Sequence, residues 1–452
     1  MPTLYCARWV LPVSSEPIAD GALLIDGTQI VGVGPRAKLS AECPHATIRD
    51  LAESAIVPGL INAHSHLELT AMRGFLEDEE TDFFAWLRKL TSARLERMSP
   101  DDLRVSAAWG ACEAARAGVT CVADASDSAS QSMQALRDVG LRGVVYQESF
   151  GPDPRLAAEN FEKLREQVAR LRELETTLVK VGVSPHAPYT VSAPQLEMIA
   201  EFSRAENLPL MMHAAETNME VSLMHDGTGP FADGLRSRGI EWRAPGVSTI
   251  QYLQQHGILE TRPLLAHCIH VDDVDIATMK KSGARVAHCP KSNAKLGHRR
   301  APFAKFLEME IATGLGSDSV ASNNTCDLLE EARFALLLAR AAGGETFAGP
   351  HLSAEDVLRT ATVGGARSLG LAGQVGELQA GLQADFAAVA LAGPHQLPSY
   401  DPVSTLIFAS SGRDVTLTVV AGREVFSDGV LPMVDEERLG ARLKEIAVKL
   451  AR

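Results

Sequence analysis

The sequence predicts an α/β protein: a (β/α)8 barrel carrying a small β-sandwich domain built from both chain termini. Three observations carry this expectation. Eight short apolar or β-branched runs, each followed by a helical pattern, fill the middle of the chain. Both ends are instead short strands punctuated by Gly and Pro. His and Asp residues recur where the middle runs end, the place where such barrels build their sites. A doubly wound open sheet is the runner-up. It is weakened because no G-x-G-x-x-G follows the first run.

The elements follow in order. Residues 1–54 form the first part of the sandwich, with GALLIDGTQIVGVGP as its clearest hairpin and Asp26-Gly27 as turn chemistry. Residues 55–372 hold the barrel. Its runs are AIVPGLINA (55–63), GVTCVADA (118–125), LRGVVYQES (141–149), TLVKVGVS (177–184), LPLMMHA (208–214), RPLLAHC (262–268), ARVAHC (284–289) and IATGLGS (311–317). Ser99, Pro100 and Asp102 predict a capped helix start, and Ser192 with Pro194 predicts another. Residues 373–452 complete the sandwich through GQVGELQAGLQADFAAVAL and VTLTVVAGREVFSDGV, then close with a C-terminal helix. There is no internal repeat and no low-complexity segment.

Composition excludes several classes. The 452 residues are 46% hydrophobic and 22% charged, which is ordinary for a folded domain and unlike a disordered chain. A net charge of −14 argues against a nucleic-acid partner. No apolar run approaches the ~18 residues of a membrane span. The start, MPTLYCARWVLPVSSEP, has Arg8 inside it and does not read as a secretory signal. Seven Cys, with no C-x-x-C pair, give no disulfide framework and fit a reducing, cytoplasmic compartment. The sequence does not give the oligomeric state; a homodimer stays open because dimers are common among homo-oligomers.

The candidate chemistry lies at the strand ends. His64 and His66 alternate along an extended segment and so point to one side. His213 and Asp318 arrive from other strands. Three imidazoles and a carboxylate suit one divalent ion, Zn²⁺ first, with Fe²⁺ and Mn²⁺ also compatible. The ion lowers the pKa of a water toward neutrality. Glu216, three residues past His213, can face that water as a proton shuttle. His267 can orient it. A second metal would want a lysine at the end of the fourth run, but Lys180 comes too early and the end offers His186. The site is therefore read as mononuclear, with His186 over the substrate. Glu68 has no role assignable from chemistry.

The segments VPGLINAHSHLEL, SPHAPYTVS, HAAET, LAHCIHV, HCPKSN and GLGSDSVASNN together resemble the amidohydrolase superfamily, and within it the cytosine-deaminase-like aminohydrolases. The resemblance runs to about residue 435. It implies that His64, His66, His213 and Asp318 bind one metal, that Glu216 is the proton shuttle, and that His267 and Asp318 act on the attacking water. SPHAPYTVS and the segment around Trp86 resemble enzymes acting on 5′-substituted adenosines: aminodeoxyfutalosine, S-adenosylhomocysteine and methylthioadenosine deaminases. The expected reaction is hydrolytic deamination of an adenine-type ring with release of ammonia. Alternatives are a related hydrolase on guanine, a pterin, cytosine or a chloro-s-triazine, and a non-catalytic scaffold of the same fold. Trp86 is expected to stack on the substrate or to anchor its helix. His186 is expected at ribose hydroxyls. Arg73 and Arg142 are the candidates for pairing with a substrate carboxylate.

Overall fold

The computed structural model describes residues 2–341 and 352–452. Its strands, in chain order, are β1 (Thr3–Val10), β2 (Ile18–Asp26), β3 (Gln29–Pro35), β4 (Thr47–Asp50), β5 (Ser54–Pro58), β6 (Leu60–Ser65), β7 (Val119–Ser126), β8 (Arg142–Ser149), β9 (Val179–Pro185), β10 (Met211–Ala214), β11 (Leu264–His267), β12 (Arg285–His288), β13 (Thr313–Leu315), β14 (Phe386–Ala390), β15 (Val415–Val420) and β16 (Arg423–Ser427). Strands β6 to β9 pair in parallel as one sheet, and β10 to β13 as another. Single parallel bridges, Val183 with Leu210 and Ser65 with Asp318, lie at the two seams between them. All eight predicted runs contribute one of these strands. They read as continuous apolar runs because both faces are covered: every residue of β7 and β8 is buried.

The first run is not one strand. It breaks at Pro58-Gly59: β5 pairs antiparallel with β14, whereas β6 pairs parallel with β7. A Cβ on Gly59 would lie 2.1 Å from the Thr120 hydroxyl, so only glycine lets the chain cross so closely here. The passage between the two sheet systems falls at this point rather than at residue 54.

Both chain ends do meet in one β unit. Pairing gives a continuous mixed sheet in the order β16-β15-β14-β5-β1-β2-β3, with β4 beside β1. The expected turns form as the residues dictate. Gly27 (φ 58°) closes the β2–β3 hairpin, and Ala421 and Gly422 (φ 47° and 75°) close β15–β16. Ser99 caps the helix Pro100–Arg116 with a reciprocal box to Asp102. Ser192 precedes the helix Ala193–Ala205 as expected, but its side chain makes no capping bond. The C-terminal helix Glu436–Leu450 packs on the helix Pro100–Arg116 rather than on the mixed sheet. Lys449 pairs with Asp102 there, and Arg116 grips Glu436 through two bonds of 2.7 Å. Among the described residues, no helix is long and apolar enough to cross a membrane.

Candidate metal centre and active site

At the C-terminal ends of the parallel strands, β6, β10 and the segment after β13 bring His64, His66, His213 and Asp318 together. The β6–β7 register slips between Asn62 and Ser65, an irregularity of the kind that re-aims side chains at a strand end. Asp318 Oδ1 lies 3.5 Å from His64 Nε2 and 3.6 Å from His66 Nε2. The Nε2 atoms of His66 and His213 are 3.2 Å apart, with their rings nearly parallel.

The backs of these groups are tied. His213 Nδ1 donates to the His186 carbonyl at 2.9 Å, which turns its Nε2 lone pair inward. Asp318 Oδ2 accepts from the Ser292 and Ser322 hydroxyls at 2.5 and 3.1 Å, leaving Oδ1 for the histidines. Burial pushes the His64 and His213 rings down and His66 to about 3, so all three are neutral. Burial works against the Asp318 carboxylate, but the imidazoles packed around it, His64 foremost, hold it well below its usual range.

This donor set fits a divalent cation. His64 Nε2 is fully buried and has no hydrogen-bond partner, a costly orphan unless its lone pair binds an ion. Three imidazole nitrogens and one carboxylate oxygen are a nitrogen-oxygen set that Zn²⁺ accepts. Lys180 sits at the exposed start of β9 beside Glu175, far from a bridging position.

Glu216 faces this cluster. Thr217 caps the next helix, Asn218–Asp226, and Glu220 accepts the backbone N–H groups of Ala215 and Glu216 at 2.8 and 3.0 Å, fixing the turn. Burial pushes the Glu216 carboxyl up to about 7, although neighbouring His267 pulls the other way. His267 Nε2 is 3.6 Å from Glu216 Oε1. Burial would push His267 down, but Glu216 and Asp318 outweigh it and raise its pKa. Ala215, His267, Cys268 and Asp318 all have positive φ, 48–72°, so backbone strain concentrates at this end of the strands.

These groups open into a cavity of ≈ 1090 Å³. Trp86 lines it while also packing on Phe83, which makes it an anchor of its own helix. His186 lines it too, with Nδ1 at 2.9 Å from the Thr190 hydroxyl.

Two expected residues do not reach it. Arg73 turns outward to Glu113. Arg142 is the first residue of β8, and at ~3.3 Å per residue it lies about 20 Å of strand from Glu148 at the cavity end. It instead pairs with Asp385 through bonds of 2.8 and 3.1 Å, joining the parallel strands to the mixed sheet.

Sequence reasoning missed the arginines that do line the cavity, Arg88, Arg94 and Arg238, of which Arg94 is the most buried. Arg94 lies four and eight residues past Leu90 and Trp86 on one helix face, and that periodicity was the available signal. Its guanidinium is held by Glu68 at 3.0 Å and Asp127 at 2.6 Å. Glu68 also accepts from the Ser126 hydroxyl and the Ser128 N–H, so its role is to hold Arg94 and the β7 exit loop together. Glu148, beside them, is buried and has an unpartnered Oε1. Burial and the charges of Glu68 and Asp127 push its carboxyl well up.

Residues 55–425 match the amidohydrolase family model. A 5-methylthioadenosine/S-adenosylhomocysteine deaminase of Syntrophobacter fumaroxidans is 32% identical over 429 residues, covering 94% of this chain and 93% of the relative. One of Symbiobacterium thermophilum is 31% identical over 451 residues, covering 98% of each chain. Among solved structures, a zinc-bound adenosine deaminase of Xanthomonas campestris superposes with a TM-score of 0.87 at 26% identity, covering 99% of this chain and 98% of the other. With the family model spanning most of its length and relatives matching it nearly end to end, this chain belongs to the amidohydrolase family.

Proposed function

We propose that this protein is a metal-dependent hydrolase that deaminates the adenine ring of a 5′-substituted adenosine, releasing ammonia. The observation that carries the reading is the placement of a fully buried carboxyl, Glu216, opposite the His64, His66, His213 and Asp318 cluster at a deep cavity. The names and extent of the relatives support it. At ≈ 1090 Å³ the cavity is at the upper end for small-ligand sites, which leaves room for a substituent beyond a nucleoside.

His64, His66, His213 and Asp318 would hold one divalent cation, Zn²⁺ first. Its contribution is to acidify water near neutral pH. Glu216, with its pKa near 7, takes one proton from the attacking water and delivers it to a ring nitrogen; passing the second water proton from the new C–OH to the exocyclic amine breaks the C–N bond, so that ammonia leaves and the ring carbonyl forms. His267 and Asp318 orient the water. Trp86, Phe150, Tyr189 and Phe231 supply flat apolar walls for the purine and its substituent. With Arg73 and Arg142 elsewhere, a carboxylate on the substituent would meet Arg88, Lys89 and Arg238 on the outer cavity wall.

The architecture proposed for this reading is a (β/α)8 barrel, closed by the two seam bridges, with the mixed sheet folded over as a small β-sandwich. Support comes from Ile30 of β3 and Leu417 of β15, at far positions in the sheet order, sharing one buried cluster with Tyr5 and Phe386.

The test follows absorbance from adenine to hypoxanthine with adenosine, methylthioadenosine, S-adenosylhomocysteine and aminodeoxyfutalosine in parallel. Turnover of at least one substituted nucleoside in preference to adenosine is expected. Inactivity on all four, with turnover of guanine, a pterin or a triazine, refutes the substrate class.

A further inference from the structure

His298 lies on no strand, yet its ring reaches the candidate shuttle. Its Nε2 is 3.8 Å from Glu216 Oε1, on which His267 Nε2 also converges at 3.6 Å. His298 is 8% exposed, and its Nε2 is buried with no hydrogen-bond partner. Such an orphan is costly unless something uses it.

The route by which the ring gets there is specific. The short helix Pro290–Lys295 ends in a Schellman turn: Gly297 (φ 70°) donates to the Ala294 carbonyl at 3.2 Å, and His298 donates to the Asn293 carbonyl at 2.9 Å. This reversal turns His298 back toward the strand ends. The side chain of the same Asn293 holds His267, Oδ1 to Nδ1 at 2.9 Å. One residue thus sets two imidazoles on a single carboxylate oxygen, one through its backbone and one through its amide. Phe83 meets the His298 ring edge-on at a centroid distance of 4.5 Å, linking it to the helix that bears Trp86. Burial, reinforced by His267, pushes the His298 ring down to about 3, so it is neutral and has one N–H to give.

We infer that His298 is a positioning residue: its partnerless Nε2 closes the 3.8 Å to Glu216 Oε1 when substrate binds, donates to that oxygen and fixes it, so that the other oxygen is the one that moves the proton. The inference rests on Glu216 being the shuttle. Donors to a charged partner are among the stronger hydrogen bonds in proteins, so removing this one should cost roughly 10–100-fold in kcat.

The experiment compares His298→Leu, His298→Gln and His298→Asn, each alone and in the Glu216→Gln background, on whichever amine-bearing heterocycle the wild type turns over. Gln keeps a donor near the position of Nε2, whereas Asn is one carbon short and serves if the Leu variant does not fold. The expected result is a roughly 10–100-fold lower kcat for Leu and Asn with KM and metal content unchanged, and recovery of most activity with Gln. Affinity for a purine analogue with a tetrahedral carbon should fall in step with kcat/KM, while affinity for the deaminated product stays the same. In the Glu216→Gln background the Leu change should add almost nothing, because a residue that acts through Glu216 is silent without it. Undiminished kcat in the Leu and Asn variants overturns the inference. So does a full second loss on the Glu216→Gln background, or loss of metal. Failure of Glu216→Gln itself to slow turnover would refute the shuttle reading instead, and the single variant shows it separately.

Discussion

Replacing Arg142 with Met should unfold the protein more easily and leave its chemistry alone. The guanidinium and the Asp385 carboxylate are both buried and meet through two bonds of 2.8 and 3.1 Å. Asp385 Oδ1 also accepts the Ala421 N–H at 2.7 Å, so the carboxylate cannot turn away once its partner is gone. Leaving one member of a buried pair uncompensated costs about 3–5 kcal/mol. The urea midpoint of Arg142→Met should fall by that amount of stability, while kcat and KM of the folded fraction stay within about twofold at 25 °C. Adding Asp385→Asn removes the stranded charge, keeps the acceptor for Ala421, and should recover a large part of the loss. An Arg142→Met protein of unchanged stability with a raised KM for a carboxylated substrate would refute this reasoning and return Arg142 to the substrate.

Three further outcomes follow. Metal analysis of protein purified without chelators should give about one divalent ion per chain, and His213→Ala should lose metal and activity together; two equivalents would sink the mononuclear reading. Glu216→Gln should keep its metal and lose roughly 10²–10⁴-fold in kcat, and retained turnover would exclude Glu216 as the shuttle. Burial pushes the Glu331 carboxyl from 4.5 to about 8, so the folded chain keeps a proton that the unfolded chain releases. Its contribution is therefore complete below about pH 4.5 and declines up to about pH 8 at ~1.4 kcal/mol per pH unit; Glu331→Gln should flatten that part of the stability profile, and an unchanged slope would mean Glu331 ionises normally.

The eight parallel strands were legible because nearly all their residues are buried on both faces, which writes largely apolar runs. The meeting of His64, His66, His213 and Asp318 was legible because they lie at the ends of three of these runs, and the ends of neighbouring parallel strands converge. The first run was misread because apolar character does not say which sheet a segment joins; the Pro58-Gly59 crossing decided that. Arg142 was misread for a geometric reason. An arginine inside a run has a fixed depth, and Arg142 opens β8 where Glu148 nearly closes it. His298 and Asn293 could not be placed, because their roles depend on the direction in which a Schellman turn sends the chain.

The two ends of the parallel strands thus answer to different physics. Arg142 and Asp385 at the starting end are fully paired, and their worth is cohesion between the sheet systems. At the other end, polar groups are left short of partners: His64 Nε2, His298 Nε2 and Glu148 Oε1 are buried and unpartnered, and four residues hold strained positive φ. Orphaned groups and strain persist only where the surrounding structure over-determines them. Arg94 sits between these regimes. It lines the cavity, but Glu68 and Asp127 occupy its guanidinium, so it fixes the wall rather than reading a substrate anion. On the proposed function, discrimination at the reacting end would fall to Glu148, whose Oε1 is unpartnered, and to the cavity-lining ring of His186. On the same reading an anionic substituent would meet the cavity-lining cations Arg88, Arg238 and Lys89, the last already beside Glu79, where solvent and salt screen the attraction.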